Sequence, residues 1–374
     1  MEIEELRSSV QKLANSAIPP YQTEKYYGST PRALFTEFAK HGLTGLTLKE
    51  DHGGLGLTIE HCAAVMEEIA AVDLGPAIFL SVHLMACAII ERFGDTQQHQ
   101  RFLEPMTAGT MLGAFALTEP SAGSDASNLR TTYKRVGEEF IIDGEKCYIT
   151  SAGWADIYIL FARQAGSKGR DGISGFIVPS DAPGLTVSTP EKKMGCELSP
   201  IASLTCAGLR IPCTNLLQQE GRGYAIALSG LAGGRINIAA CANGLSRIAL
   251  QRAVDHLKTR EQFGHPLIEF QGLQFMLADM KMKLEAARLL TREAAQIFIH
   301  DQHSPDNRLY PSMAKCFATD AAMQITTDAV QLLGGAGYIK EYQVERLMRD
   351  AKMLQIVEGT NQVQRGLIAR ALSN

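Results

Sequence analysis

Nowhere does the sequence hold a C-x-x-C pair. Its eight cysteines, at 62, 87, 147, 196, 206, 213, 241 and 316, stand at no metal-ligand spacing from the nine histidines. A metal site is therefore not expected, and the scattered thiols read as reduced core residues of an intracellular protein. No basic run with interleaved aromatics occurs, and a net charge of -4 with pI near 6.2 argues against a nucleic-acid footprint. No stretch reads as the roughly 18 apolar residues of a membrane span, and the opening MEIEELRSSVQKLANSA carries acids with no apolar signal core. These absences predict a soluble, cytoplasmic protein with no nucleic-acid or membrane partner.

What is present is ordinary globular material, 45% hydrophobic and 20% charged, in 374 residues that suit two or three domains. Up to residue 112 apolar residues recur at three and four, as in Leu34, Phe35 and Phe38 and again in EHCAAVMEEIAAV, which predicts helices. The turn KEDHGGLGLT separates two of them, with Thr58 placed to N-cap the second. From residue 113 short runs rich in Thr, Ile, Tyr and Val follow one another: GAFALTE, YKRV, FIIDGEKCYIT, DIYILFARQ, ISGFIVPS, GLTVST and SLTCAGLRIP. Asp143-Gly144 reads as a hairpin turn, and seven strands at this spacing predict a small antiparallel β-barrel or sandwich. The helical period then returns in four or five long amphipathic stretches. The expected class is α+β multidomain: an N-terminal all-α domain (1–112), a middle antiparallel β domain (113–218) and a C-terminal four-helix bundle (219–374).

Several loops carry candidate chemistry beside a plainer reading. In ALTEPSAGSD, Thr118, Gly123 and Ser124 can bring hydroxyl and N–H groups to a ring edge or phosphate, and they equally make a surface turn. TREQFG and FQGLQF place Arg260 and Gln271 for a phosphate or an amide-rich ring, or as solvated helix ends. QLLGGAGYI offers glycines for phosphate binding or for a plain C-cap. GLAGGRINIAA puts Arg235 just inside a helix after two glycines, which close helix packing alone would explain.

The stretch QIVEGTNQVQR poses a sharper question. Glu358 has Ile356 and Val357 on one side and Gly359 on the other, where a helix breaks. A carboxylate in an apolar setting is either paired or raised toward base chemistry at neutral pH.

Taken in order, GGLGL, LTEPSAGSD, II-D-G-EK-YIT, REQFG, FMLADM, AVQLLGGAGYI, LMRDAK and QIVEGTNQVQR resemble the acyl-CoA dehydrogenases over essentially the whole chain. The resemblance implies FAD held between the middle β domain and the C-terminal bundle. It implies cofactor contacts at Phe115, Leu117, Thr118, Gly123 and Ser124, with Thr118 near the reactive flavin nitrogen and Tyr148, Ile149 and Thr150 along the ring. Tyr148 stands where many members have Trp. Arg260, Gln262, Phe263, Gln271, Gln331, Gly334 and Gly335 resemble positions that bind the FAD of a neighbouring subunit, while Thr360 and Gln362 resemble positions beside the base. A shared cofactor implies a homo-oligomer, in this family usually a tetramer.

Ser124, Arg235, Val357 and Gly359 match substrate-contacting positions. Glu358 would be the base that takes the α-proton of an acyl-CoA thioester, with the β-hydride going to FAD and the electrons to an electron-transferring flavoprotein. Some members carry the base on the helix that here holds AGGRINIAA, where Ala232, Gly233 and Gly234 offer no carboxylate. A Thr-Arg pair common after KMG is replaced by Ile201-Ala202. Many straight-chain members have Tyr before the base, and Val357 in its place frees room for a methyl branch. GGRINIAACANG also resembles the isobutyryl-CoA dehydrogenases, so a short, 2-methyl-branched acyl-CoA is expected. The same site remains open to a non-redox elimination or an oxygen-dependent oxidation of a thioester.

Overall fold

The computed structural model describes residues 2–300 and 306–373. The three-and-four spacing folds as α1 (Ile3–Ala17), α2 (Arg32–Lys40), α3 (Ile59–Val72), α4 (Leu74–Phe93) and the short α5 (Thr96–Gln98) and α6 (Glu104–Thr107). α1 buries one face, Leu6, Val10 and Ala14, whereas α3 buries every residue from Cys62 to Ala71. Thr58 does stand at the α3 N-cap, yet its hydroxyl pairs with His61 Nδ1 at 2.8 Å rather than with a backbone N–H. Asp73 caps α4 by accepting from Gly75 N–H at 2.9 Å.

The strands are β1 (Gly113–Ala116), β2 (Thr132–Val136), β3 (Glu139–Thr150), β4 (Ile157–Gln164), β5 (Ile173–Pro179), β6 (Leu185–Val187) and β7 (Ile201–Pro212). They form one sheet in the order β1-β4-β2-β3-β7-β6, with β5 also beside β4. The expected antiparallel pairing joins β2–β3, β3–β7, β4–β5 and β6–β7, while β1–β4 and β2–β4 run parallel. Parallel neighbours need a long crossover, and the loop and hairpin between β1 and β4 supply it. Asp143-Gly144 makes no hairpin. β3 runs straight through it with a bulge, Gly144 at φ +146, where a Cβ would come within 2.6 Å of Thr131 Oγ1. The hairpin turn lies earlier, at Gly137-Glu138, with Gly137 at φ +61 as a primed turn requires.

The C-terminal part holds α7 (Gly223–Thr259), a two-stranded ribbon β8 (Glu261–Gln262) and β9 (His265–Pro266), α8 (Gln271–His300), α9 (Asp306–Leu333), α10 (Gly335–Tyr338), α11 (Val344–Leu354) and α12 (Asn361–Ala371). α7 is the central column, packed against α3, α4, α8 and α9. It begins at Gly223, so Arg235 lies in mid-helix rather than just inside an N-terminus. Gly233 and Gly234 thus cost the helix about 0.5–1 kcal/mol each relative to alanine. Complete burial of Ile236, Leu245 and Leu257, at about 1.5–3 kcal/mol each, outweighs that cost. α4 and α7 also correct the reading of the apolar runs, since each is long and apolar enough to span a bilayer. Their most apolar windows are 83% and 61% buried inside the fold, the position of core helices.

Candidate active site

α11 ends at Leu354, and the chain makes one tight turn before α12. Val357 N–H still bonds Met353 O at 3.1 Å, then Glu358 enters the left-handed region at φ +58 and Gly359 follows at φ +89. A side chain in that region costs about 1–2 kcal/mol and persists only where its surroundings dictate it. Here Gln364 Nε2 donates to Glu358 O at 3.0 Å and to Gly359 O at 2.9 Å, Lys315 Nζ donates to Gly359 O at 3.0 Å, and Arg235 Nε donates to Glu358 O at 3.4 Å. Thr360 caps α12 by accepting from Val363 N–H at 3.2 Å.

The turn seats the Glu358 carboxyl against the α7 backbone. A Cβ on Gly234 would lie 2.7 Å from Glu358 Cδ and closer still to both oxygens, which explains a glycine in mid-helix. Glu358 Oε2 is shut off from solvent and, among the described residues, has no hydrogen-bond partner. Burial raises the carboxyl from its ordinary 4.5 to about 7, against the lowering effect of Arg235 and Lys315. The enclosure does not come from Ile356, which is 56% exposed because the turn faces it outward. Val357 packs half-buried on the bundle core.

The middle domain presents a second surface. Glu119, buried in the loop that follows β1, accepts from Lys146 Nζ at 2.7 Å, from Thr131 N–H at 3.0 Å and from Arg130 N–H. Burial pushes its carboxyl up, but the Lys146 charge and these donors outweigh it and hold it below the usual range. Lys146 also donates to Leu117 O at 3.2 Å, and Cys147 N–H donates to Thr118 O at 2.9 Å. This clip fixes the half-buried Thr118 beside β3, where a bulge turns Tyr148 outward at φ +57 and 65% exposed. Thr150 is half-buried, whereas Ile149 faces the domain core opposite Ala202. Phe115 and Leu117 pack in the cluster under α4, so their side chains support this surface from behind.

The remaining expected residues fall into two groups. Gly123, Ser124 and Gln362 are exposed, whereas Arg235 is buried and spends its guanidinium on Glu358 O and on Ser312 Oγ, at 3.3 Å. Arg260, Gln262, Phe263, Gln271, Gln331, Gly334 and Gly335 are all exposed, at the far end of α7, on the ribbon and at the ends of α8 and α9. Arg260 lies about 39 Å along the α7 axis from Gly234, at ~1.5 Å per residue. Within one chain these residues are not brought together with Glu358.

Family models for the N-terminal, middle and C-terminal domains of acyl-CoA dehydrogenase match residues 1–110, 114–207 and 221–373. The chain belongs to the acyl-CoA dehydrogenase family. The mitochondrial isobutyryl-CoA dehydrogenase of Dictyostelium discoideum is 38% identical over 353 residues, 94% of this chain and 84% of that protein. The solved butyryl-CoA dehydrogenase of Megasphaera elsdenii superposes with a TM-score of 0.95 at 40% identity, covering 100% of this chain and 99% of that one. A chain in a structure reported for the electron transferring flavoprotein of Acidaminococcus fermentans gives 0.95 at 42% identity, covering 99% and 97%.

Acyl-CoA dehydrogenases are flavin-dependent oxidoreductases acting on a CH–CH group, and the residues present fit a flavin. A Cβ at Gly123 or Gly335 would meet nothing within 4 Å, and neither has a positive φ, so packing within the chain does not demand a glycine at either place. Open space at both positions leaves room for a ligand to approach the backbone. The polar residues expected to contact a cofactor, Thr118, Ser124, Arg260, Gln271, Gln331, Thr360 and Gln362, carry hydroxyl, amide and guanidinium groups suited to ring edges and phosphates.

Sequence reasoning missed the residues that brace the candidate site from within. Lys315, Gln364, Asn361 and Ser312 brace the Glu358 turn, and Glu119 with Lys146 braces the Thr118 loop. One signal was available for Lys315: a lone charge inside PSMAKCFAT, a stretch otherwise of small and apolar residues.

Proposed function

We propose that this acyl-CoA dehydrogenase converts a short, 2-methyl-branched acyl-CoA, such as isobutyryl-CoA, to its 2-enoyl-CoA with Glu358 as the base. The observation that carries the reading is the Glu358 carboxyl, with an enclosed, unbonded Oε2 and a proton affinity raised to about 7. An ordinary carboxylate, near 4.3, is too weak a base for a thioester α-proton, and desolvation strengthens it. The Glu358 N–H has no acceptor among the described residues and is available to the thioester oxygen as negative charge develops there.

FAD, when bound, supplies the acceptor for the β-hydride. Thr118, Gly123, Ser124, Tyr148 and Thr150 hold it on the middle-domain side, with Thr360 and Gln362 beside the base. The exposed group around Arg260 and Gln271 would serve the FAD of a second subunit in a homotetramer, with an electron-transferring flavoprotein as the partner that takes up the electrons. All eight cysteines are free, which suits the reducing cytoplasm.

Val357 carries the branched-chain preference, because a smaller residue before the base leaves room beside the reacting carbons. The test is kcat/KM for isobutyryl-, butyryl- and octanoyl-CoA in wild type and Val357→Tyr. Isobutyryl-CoA should lead in the wild type and lose about 10-fold to butyryl-CoA in the variant, within the ~1–3 kcal/mol that a pocket assigns to one methylene. Octanoyl-CoA leading in the wild type, or an unchanged ranking in the variant, refutes the pocket argument.

A further inference from the structure

Lys315 lies in α9 with no solvent exposure, in a stretch where Ser312, Ala314, Cys316 and Ala318 are also buried. A fully buried lysine is rare unless its charge or its donors are used. Among the described residues no carboxylate lies within ion-pair distance of its Nζ. Its donors go instead to Gly359 O at 3.0 Å and Asn361 Oδ1 at 2.8 Å, on either side of the Thr360 cap. Asn361 is itself fixed by Nδ2 donating to Asp320 Oδ1 at 2.7 Å and to Thr319 Oγ1 at 2.9 Å. A methionine would fill the same space, so what the lysine adds is two bonds and a charge.

We propose that Lys315 is a positioning residue for the reaction at Glu358: it ties the Gly359 carbonyl to the Asn361 side chain, fixes the left-handed turn and sets a buried positive charge beside the base. The inference rests on the reading of Glu358 as that base.

The ionisable groups around the turn divide by element. α7 contributes Arg235 and the Cys241 thiol; α9 contributes Lys315, Arg308, Cys316 and Asp320; α12 contributes Arg365. Asp320 is occupied by Arg365 at 2.5 Å and by the amides of Gln355 and Asn361. Arg235 and Lys315 are therefore the cations that act on the Glu358 carboxyl. Arginine stays charged throughout, whereas burial brings Lys315 down to about 8, partly offset by Glu358. Removing the Lys315 charge removes an attraction for the carboxylate, so the proton on Glu358 is held to higher pH and the acid limb of the rate profile moves up.

The experiment measures anaerobic flavin reduction against pH in the FAD-loaded enzyme carrying Lys315→Met, Lys315→Gln or Lys315→Arg, with Glu358→Gln alongside. Met and Gln should move the acid limb of kcat up by about one pH unit, the low end for a nearby opposite charge. They should lower kcat at pH 7 about 5-fold with KM little changed, as a one-unit shift from about 7 requires, and Arg should return the limb toward wild type. Gln keeps a donor, so it separates loss of charge from loss of the bond and serves where Met fails to fold. A wild-type limb in both Met and Gln overturns the inference even if the rate falls, because Lys315 would then only fill space. Glu358→Gln retaining turnover removes the base reading and this inference with it, whereas an inactive Glu358→Gln beside unmoved Lys315 limbs removes this inference alone.

Discussion

Gly234→Ala adds one methyl group at the point where the carboxyl of Glu358 meets α7. The new Cβ would lie 2.7 Å from Glu358 Cδ, whereas carbon atoms in contact settle at about 3.5–4.0 Å. The carboxyl must therefore retreat by about 1 Å, and Gln364, Lys315 and Arg235 hold the turn against that movement. Stability falls by no more than about 2 kcal/mol, because alanine in a helix interior gains about 0.5–1 kcal/mol over glycine and so offsets part of an overpacking cost of about 1–3 kcal/mol. Turnover has no such compensation, since a displacement of about 1 Å costs on the order of 10²-fold. The assay compares Tm, flavin content and kcat for Gly234→Ala with those for Gly233→Ala. At Gly233 the nearest atoms are Phe298 Cζ at 3.8 Å and Ile59 Cδ1 at 3.9 Å, an ordinary contact distance. The expected result is a folded, flavin-loaded Gly234→Ala with kcat down about 10²-fold and a Gly233→Ala that keeps most of its activity. A wild-type rate in Gly234→Ala, or equal losses in both, refutes this account of the seat.

Two further outcomes follow from the same geometry. Glu358 binds its proton more tightly folded, at about 7, than at the ordinary 4.5, so its contribution to stability falls as pH rises between those values. Flavin-free Glu358→Gln should therefore gain on the wild type in thermal melts from pH 5 to pH 8, by up to about 3 kcal/mol before solvent screening is allowed for, and a pH-independent difference contradicts the raised proton affinity. Arg260→Ala and Gln271→Ala should weaken FAD retention in an oligomer whose size is unchanged by size-exclusion measurement, and a monomer that holds FAD fully contradicts the shared site.

The helical parts were legible because their apolar period is long and regular, and the seven strand segments were legible as short β-rich runs. Topology was less so, because parallel pairing of β1 with β4 depends on a crossover whose path no local pattern records. Asp143-Gly144 misled because glycine answers two needs, a turn or a close approach, and Thr131 decided for the second. Glu358 stood out by its apolar neighbours, yet Ile356 proved exposed and the enclosing surface came from Gly234, 124 positions earlier in the chain. Lys315 and Glu119 were hidden for the same reason, since each pairs with a group 44 or 27 positions away in the chain, whereas Gln364 acts five and six residues back, on carbonyls that only the left-handed turn brings toward it. Thr118 was legible as a candidate in its loop and Tyr148 was named only from a resemblance, and only the structure shows the Glu119–Lys146 clip and the Cys147 N–H bond that fix the Thr118 loop against β3 beside Tyr148.

The central claim, that Glu358 is the base, is tested most directly by anaerobic rapid mixing of the FAD-loaded Glu358→Gln enzyme with isobutyryl-CoA, following flavin absorbance. The glutamine keeps the shape of the side chain and cannot accept the proton. The account predicts full flavin content, retained binding of the thioester and flavin bleaching slowed by at least about 10²-fold. Bleaching at a rate near that of the wild type would contradict it.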